Sequence, residues 1–385
     1  MIPKENDLIM DIMKSDILII GGGLDGLTAA ILLQKNGYQV RLIEKKKYPF
    51  HRVCGEYISN EVLPFLKSLD IGIDALETSH INRLAVTSVS GKILNANLAL
   101  GGFGISRYIL DNLLFKQAEK LGVEFIFDKV NDIQFNENSF KISTSSSQVY
   151  ESAIAIAAYG KRSNLDQKLN RSFFYKRSPY LGVKYHIKTD FPSNLIRLDN
   201  FEGGYCGLSK IEEDKYCLCY LSETANLKKY SSIPEMEEQL LYKNPYLGDV
   251  FKNSEFIFEK PEVINEISFE RKTLIENHLI FCGDSAGMIT PLCGNGMAIA
   301  IHSAKILSES IIHFLKKEFH LNRAALEQDY VSKWEKQFAF RLKSGRLIQN
   351  LFGNTLISNL AISSLNKLPS FTQALVKKTH GEILV

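Results

Sequence analysis

The sequence predicts a mixed α/β (α+β) fold: a Rossmann-like nucleotide-binding domain, interrupted by an antiparallel-sheet domain and followed by a helical C-terminal region. Three observations predict it. Residues 16–44 read as apolar strand, glycine turn, helix and second strand. From about residue 178 to 268 the pattern changes to short alternating runs, as antiparallel strands require. Near residue 279 a strand, a Gly/Pro loop and a long apolar helix return.

In chain order, "DILII" is the first strand, "LTAAILLQKNG" the helix and "YQVRLIE" the second strand. Gly37 ends the helix because glycine accepts a left-handed backbone cheaply. "SRYILDNLLFKQAEKLGVEFIF" reads as a second helix and strand, and "YESAIAIAAYGKRSNL" as a strand running into a glycine turn. "YLGVKYHIKTD", "LIRLDNF", "GYCGLSK", "KYCLCYLSE" and "EVINEISF" are the sheet strands. "HLIFCGDSAGMITPLCGNGMAIAIHSAKILSESIIHFLKKEF" supplies a strand, a Gly/Pro loop and a long helix, and the remainder is helical. These patterns assign residues 1–80, 101–177 and 268–320 to the nucleotide-binding domain. Residues 81–100 and 178–267 form the antiparallel-sheet substrate domain, and 321–385 the helical C-terminal region.

Composition narrows the function. Forty-six Lys and Arg against 43 Asp and Glu give a net charge of +3, too balanced for a nucleic-acid binder. No run approaches the roughly 20 apolar residues of a membrane span. The apolar, amphipathic stretch from Leu347 is read as a packed helical tail, with peripheral membrane or lipid contact as the alternative. The N-terminus has acidic residues and no apolar signal core, so a cytoplasmic location with reduced thiols is expected. Cys217-x-Cys219 has no second pair at zinc spacing, and no metal is expected.

Gly21-x-Gly23-x-x-Gly26 lies between strand and helix, and Glu44 closes the second strand 18 residues after Gly26. That is near the offset at which an acid takes a ribose hydroxyl, so the motif predicts a dinucleotide. Asp25 sits inside it. Facing inward, its charge would oppose the pyrophosphate by about 3 kcal/mol per charge pair at ~5 Å and an effective dielectric of ~20. Facing outward, it would be an ordinary first-turn acid. The outward placement is expected, with dinucleotide binding weakened and the site retained.

Four segments together resemble the FAD-dependent monooxygenases and reductases with the p-hydroxybenzoate hydroxylase fold, including the geranylgeranyl reductase branch. They are Gly21–Glu44, "RVCGEYIS" (Arg52–Ser59), "AAYGKRS" (Ala157–Ser163) and "CGDSAGMITPLCGNGMAIA" (Cys282–Ala300). The resemblance implies FAD as cofactor, held by Gly21, Gly23, Leu24, Asp25, Gly26, Glu44 and Lys45. Arg52, Val53 and Cys54 would lie beside the flavin, and Arg107 near the ribose and pyrophosphate. Gly160 belongs to the third motif, where Tyr159 replaces the family's aspartate. Gly283 and Asp284 would meet the ribityl chain, while Pro291, Gly294, Gly296 and Met297 aim a helix N-terminus at the ring. Cys54 and Glu56 are the catalytic candidates. Tyr185, Tyr205 and Tyr220 are candidates to line the substrate cavity, and His186 is read as a polar strand residue.

One fingerprint leaves NAD(P)H without a domain of its own, so it is expected as a transient reductant. The resemblance implies hydroxylation of an aromatic or polyketide-type apolar molecule with NAD(P)H and O2. The alternatives are geranylgeranyl reductase-like reduction of isoprenoid double bonds, flavin-dependent halogenation, and a degenerate fold member without catalysis. Leu24-Asp25 and Tyr159 are the departures from the family pattern. The halogenase branch carries a Trp-x-Trp segment where this chain has "GGYCGLSK", and the sole tryptophan is Trp334.

Overall fold

The computed structural model describes residues 17–76, 78–176, 178–289, 295–317, 321–349, 353–379 and 381–384. Ile17–Ile20 is a short, fully buried strand, as its unbroken aliphatic run requires. It pairs in parallel with Val40–Ile43 on one side and Ile154–Ala157 on the other. Glu124–Ile126 extends the sheet beyond Val40–Ile43, and Leu279–Phe281 extends it beyond Ile154–Ala157. Ile275–Glu276 closes the far edge antiparallel. The helix Leu24–Lys35 buries Leu27, Ala29, Ala30 and Leu33 against this sheet, and packs on the helices Arg107–Lys120 and Gly296–Lys317.

The large sheet runs Glu255–Phe256, Tyr180–Lys188, Tyr216–Glu223, Gly204–Lys210, Leu195–Phe201, Ser79–Thr87, Ile93–Gly104 and Tyr57–Ser59. Glu262–Ile267 also pairs with Tyr180–Lys188. One pairing is parallel, Leu195–Phe201 with Ser79–Thr87. The sheet is therefore not wholly antiparallel. The segment around Ala153 also departs from the single expected strand. Val149–Ser152 belongs to a small antiparallel sheet with Val130–Asn136 and Ser139–Thr144, while Ile154–Ala157 enters the parallel one.

The C-terminal region is helical over Arg323–Gln349, Thr355–Asn366 and Pro369–Thr379. Beyond them the backbone returns to the body, where Leu384 N donates to Glu61 O at 2.6 Å. Among the described residues one helical segment, Gly296–Lys316, is long and apolar enough to cross a membrane, and 61% of its apolar window is buried within the fold.

Candidate functional site

The C-terminal ends of the parallel strands converge on the glycine loop. Gly21 has φ +104, a conformation only glycine adopts without strain, and a Cβ there would press on the Ala158–Tyr159 backbone. A Cβ on Gly23 would point at Asp25 Oδ1 (2.8 Å) and Arg107 Nη2 (3.9 Å), so this face of the loop is a cradle with polar groups around it. Glu44 Oε2 accepts from Gly22 N at 2.9 Å and from Arg52 Nη2 at 3.2 Å. Tyr48 Oη donates to Gly22 O at 2.7 Å. Lys45 is exposed just beyond the strand.

Arg107 opens its helix behind the cap Ser106 and grips Asp111, Nε to Oδ1 at 2.6 Å and Nη2 to Oδ2 at 2.8 Å. Arg52 Nε donates to the same Asp111 Oδ2 at 3.0 Å. One buried carboxylate thus holds both arginines beside the glycine loop.

Asp25 corrects the outward expectation. Its side chain is 6% exposed and turns inward, so that a Cβ on Gly283 would lie 2.6 Å from Asp25 Cγ. Asp25 Oδ2 is buried and has no hydrogen-bond partner among the described residues. Burial first, and the charge of Asp284 second, push its carboxyl up to about 7. Gly283, at φ +61, lets the loop pass this carboxyl. Asp284 is likewise raised by burial, against the opposing charges of Lys272, Arg107 and Lys161. A protonated Asp25 is a hydrogen-bond donor, which changes its meaning for a phosphate ligand.

The second cluster was not foreseen as a unit. Gly182, Lys184 and His186 occupy one face of their strand, and that face meets the Val53–Glu56 turn. Lys184 Nζ donates to Glu56 Oε1 at 2.8 Å, and His186 Nε2 to Glu56 Oε2 at 2.6 Å. Arg107 N also donates to Glu56 Oε1, at 2.9 Å. Burial pushes the Glu56 carboxyl up, but the hydrogen bond from His186 and the Lys184 charge outweigh it and hold it at about 2. Cys217 Sγ donates to Cys54 O at 3.3 Å, and burial pushes the Cys54 thiol up. Glu56, His186 and Cys217 bring donor atoms within 4.8 Å of one another, but Lys184 and His186 already occupy the two carboxylate oxygens. Lys184 and His186, two polar residues on one face of a strand whose other positions are mostly apolar, were the available signal.

The large sheet separates the three tyrosines. Tyr205 lies on the same face as Lys184, in an apolar cluster with Leu198, Leu221 and Ile267 against which Ile264, Phe269 and Met288 pack. Tyr185 and Tyr220 do not line that side. They occupy the opposite face, where both hydroxyls donate to buried Glu237 Oε1, at 3.0 and 2.8 Å. Strand alternation places Tyr185 one residue from Lys184 and therefore across the sheet.

Tyr159 turns away from the glycine loop and donates to Asp166 Oδ1 at 2.7 Å, within the buried Asp166–Arg171 pair. Gly160 follows at φ +86 with open space around it. Gly296 starts the long helix, and Met297 is buried in the core cluster beside it. Pro291 and Gly294 lie outside the described residues. Trp334 packs near Gly287, far along the chain from the Gly204–Lys210 strand.

The glycine cradle, Glu44 at the strand end, the unpartnered Asp25 Oδ2 and Asp284 across the loop fit a dinucleotide. Comparison with known proteins identifies which one. Residues 14–322 match the FAD binding domain family, and the chain belongs to it. It is 25% identical over 346 residues to digeranylgeranylglycerophospholipid reductase 1 of Methanosphaera stadtmanae, covering 80% of this chain and 79% of that one. It is 22% identical over 364 residues to conditioned medium factor receptor 1 of Dictyostelium discoideum, covering 84% and 68%. Its fold matches that of a flavoprotein/dehydrogenase from Cytophaga hutchinsonii with a TM-score of 0.78 at 18% identity, over 95% and 92% of the two chains.

Proposed function

We propose that this FAD-dependent oxidoreductase reduces a carbon–carbon double bond in an apolar, isoprenoid-type molecule, with NAD(P)H as a transient reductant. The apolar face formed by Leu198, Tyr205, Leu221 and Ile267 carries the reading. Such a wall favours a hydrocarbon over a substrate that needs several polar anchors. The similarity to a digeranylgeranylglycerophospholipid reductase supports the same class.

FAD, when bound, supplies hydride chemistry that no side chain provides. Gly21, Gly23 and Gly26 would hold its diphosphate, with Glu44 and Asp284 meeting its hydroxyls. The remaining work belongs to the chain. Cys54, kept protonated by burial, would offer an S–H proton from the turn that Glu56 fixes. Glu56 is a positioning residue: pinned by Lys184 and His186, it fixes the turn that carries Cys54. Tyr205, the hydroxyl on the apolar face, favours a second reading in which a phenolic substrate is hydroxylated.

The test reduces the FAD-loaded protein with NADPH and presents an isoprenoid alcohol, with and without oxygen. A product gaining two hydrogens without oxygen supports reduction. A phenolic substrate gaining one oxygen atom, with oxygen consumed, moves the reading to hydroxylation. Correctly folded protein that takes up no FAD overturns both and leaves a non-catalytic fold member.

A further inference from the structure

We propose that the C-terminal helices form a docking face for an anionic lipid bilayer. Single exposed apolar residues are ordinary on a protein surface, but here they are grouped. On Thr355–Asn366, Leu356 is 75% and Leu360 69% exposed, one turn apart on the same face. Leu368 (55%) follows in the connecting turn, and Phe371 (59%) begins the outward face of Pro369–Thr379. The opposite faces are committed to the body. Ser358, Ile362 and Thr372 are buried, Asn366 Nδ2 donates to Ile93 O at 2.9 Å, and Gln373 Nε2 donates to Asn97 O at 2.8 Å. The helices are therefore docked with Leu356, Leu360, Leu368 and Phe371 outward, not turned about by loose packing.

Charge selects the partner. From Lys336 to Gly381 the sequence contains no Asp or Glu, and its Lys and Arg residues give +7, which leaves −4 for the rest of a chain whose total is +3. Arg341 is taken by Glu61, while Lys336, Lys343 and Lys367 are exposed, and the sequence adds Arg346, Lys377 and Lys378 to the charge of this stretch. On Arg323–Gln349, Phe340 is 65% exposed and is flanked one turn away on each side by exposed Lys336 and Lys343. Protruding Leu and Phe among lysines, on a body of opposite charge, match the hydrocarbon and headgroup layers of an anionic leaflet and orient the body away from it.

The face is also joined to the apolar cluster. Gly353, just before Thr355–Asn366, accepts from Gly203 N at 2.7 Å and donates to Asn200 Oδ1 at 3.3 Å. Gly203 lies in the turn that leads into Tyr205. Docking does not depend on the reaction; that the bilayer delivers the substrate rests on the reduction reading above.

Co-flotation of the full FAD-loaded chain with vesicles tests the face without using activity. Phosphatidylcholine vesicles containing one-third phosphatidylglycerol should bind the protein at least tenfold more tightly than pure phosphatidylcholine, and the preference should fall with added salt. Leu360→Ser with Phe371→Ser should reduce that binding at least tenfold with the flavin spectrum unchanged, and Lys343→Glu with Lys367→Glu should do the same. Equal binding to both vesicle types overturns the proposal. So does an absence of binding, including the case in which the apolar substitutions instead dissociate a dimer in size-exclusion chromatography. Vesicle binding that persists without double-bond reduction refutes the reaction and leaves the docking face standing.

Discussion

Lys184 and Glu56, 128 residues apart in the chain, form a fully buried ion pair at 2.8 Å that fastens the large sheet to the turn carrying Cys54. His186 completes the set from the same strand, two residues on. Neither charge is accessible to water, so each depends on the other for its solvation.

Replacing Lys184 by Met should therefore destabilise the protein by about 3–5 kcal/mol, because it leaves the buried Glu56 carboxylate with only His186 and the Arg107 amide to offset its charge. Adding Glu56→Gln should recover part of that loss, and a double-mutant cycle in urea measures the coupling. Additive losses would show that the two residues act separately. The pH dependence has a definite sign. Glu56 is held at about 2 against an ordinary 4.5, so its contribution is complete above about pH 4.5 and disappears as pH falls toward 2.

Asp25 titrates in the opposite sense. Its carboxyl is raised from 3.8 to about 7, so the folded state binds this proton more tightly and stability declines as pH rises across that interval. The groups facing it are Asp284, Arg107, Cys282 and Tyr330. A diphosphate adds negative charge and raises Asp25 further, which couples FAD binding to proton uptake. The FAD Kd should weaken above about pH 7 by up to about tenfold per pH unit. Asp25→Asn should flatten the profile and tighten binding at alkaline pH. Fluorescence titrations between about pH 6 and 9 check this, and a flat wild-type profile would contradict it.

Tyr220→Phe should cost about 1.5–3 kcal/mol through its lost hydrogen bond to Glu237, while flavin reduction and substrate KM stay unchanged. Tyr205→Ala should raise the KM for an apolar substrate. Thermal melts alongside steady-state kinetics separate the two residues, since they stand on opposite faces of one sheet. A change in KM from Tyr220→Phe would contradict that separation.

Much of the nucleotide-binding framework was legible because its signals are local. The aliphatic run of Ile17–Ile20, the glycine spacing and Glu44 lie within one strand–helix–strand unit. The division around Ala153 was hidden because two short strands in succession read as one. Asp25 was misjudged because a first-turn acid is favourable by the helix rule alone, and its inward turn depends on Gly283, which folds beside it from far along the chain. The Lys184–Glu56–His186 set required long-range register. Alternation shows that Lys184 and His186 share a face, but it cannot show which turn that face meets.

The strand Leu279–Phe281 lies directly beside Ile154–Ala157, and this sets a schedule for biosynthesis. Glu44 and Asp284 stand 240 positions apart, so the ribosome has made most of the chain before the site has both carboxylates. Until then Ile154–Ala157 is paired only with Ile17–Ile20, and the nascent chain carries one open aliphatic strand edge through about a third of its translation. Cofactor loading is accordingly a late event, and a ribosome stalled before residue 279 releases an aggregation-prone fragment rather than a smaller flavoprotein.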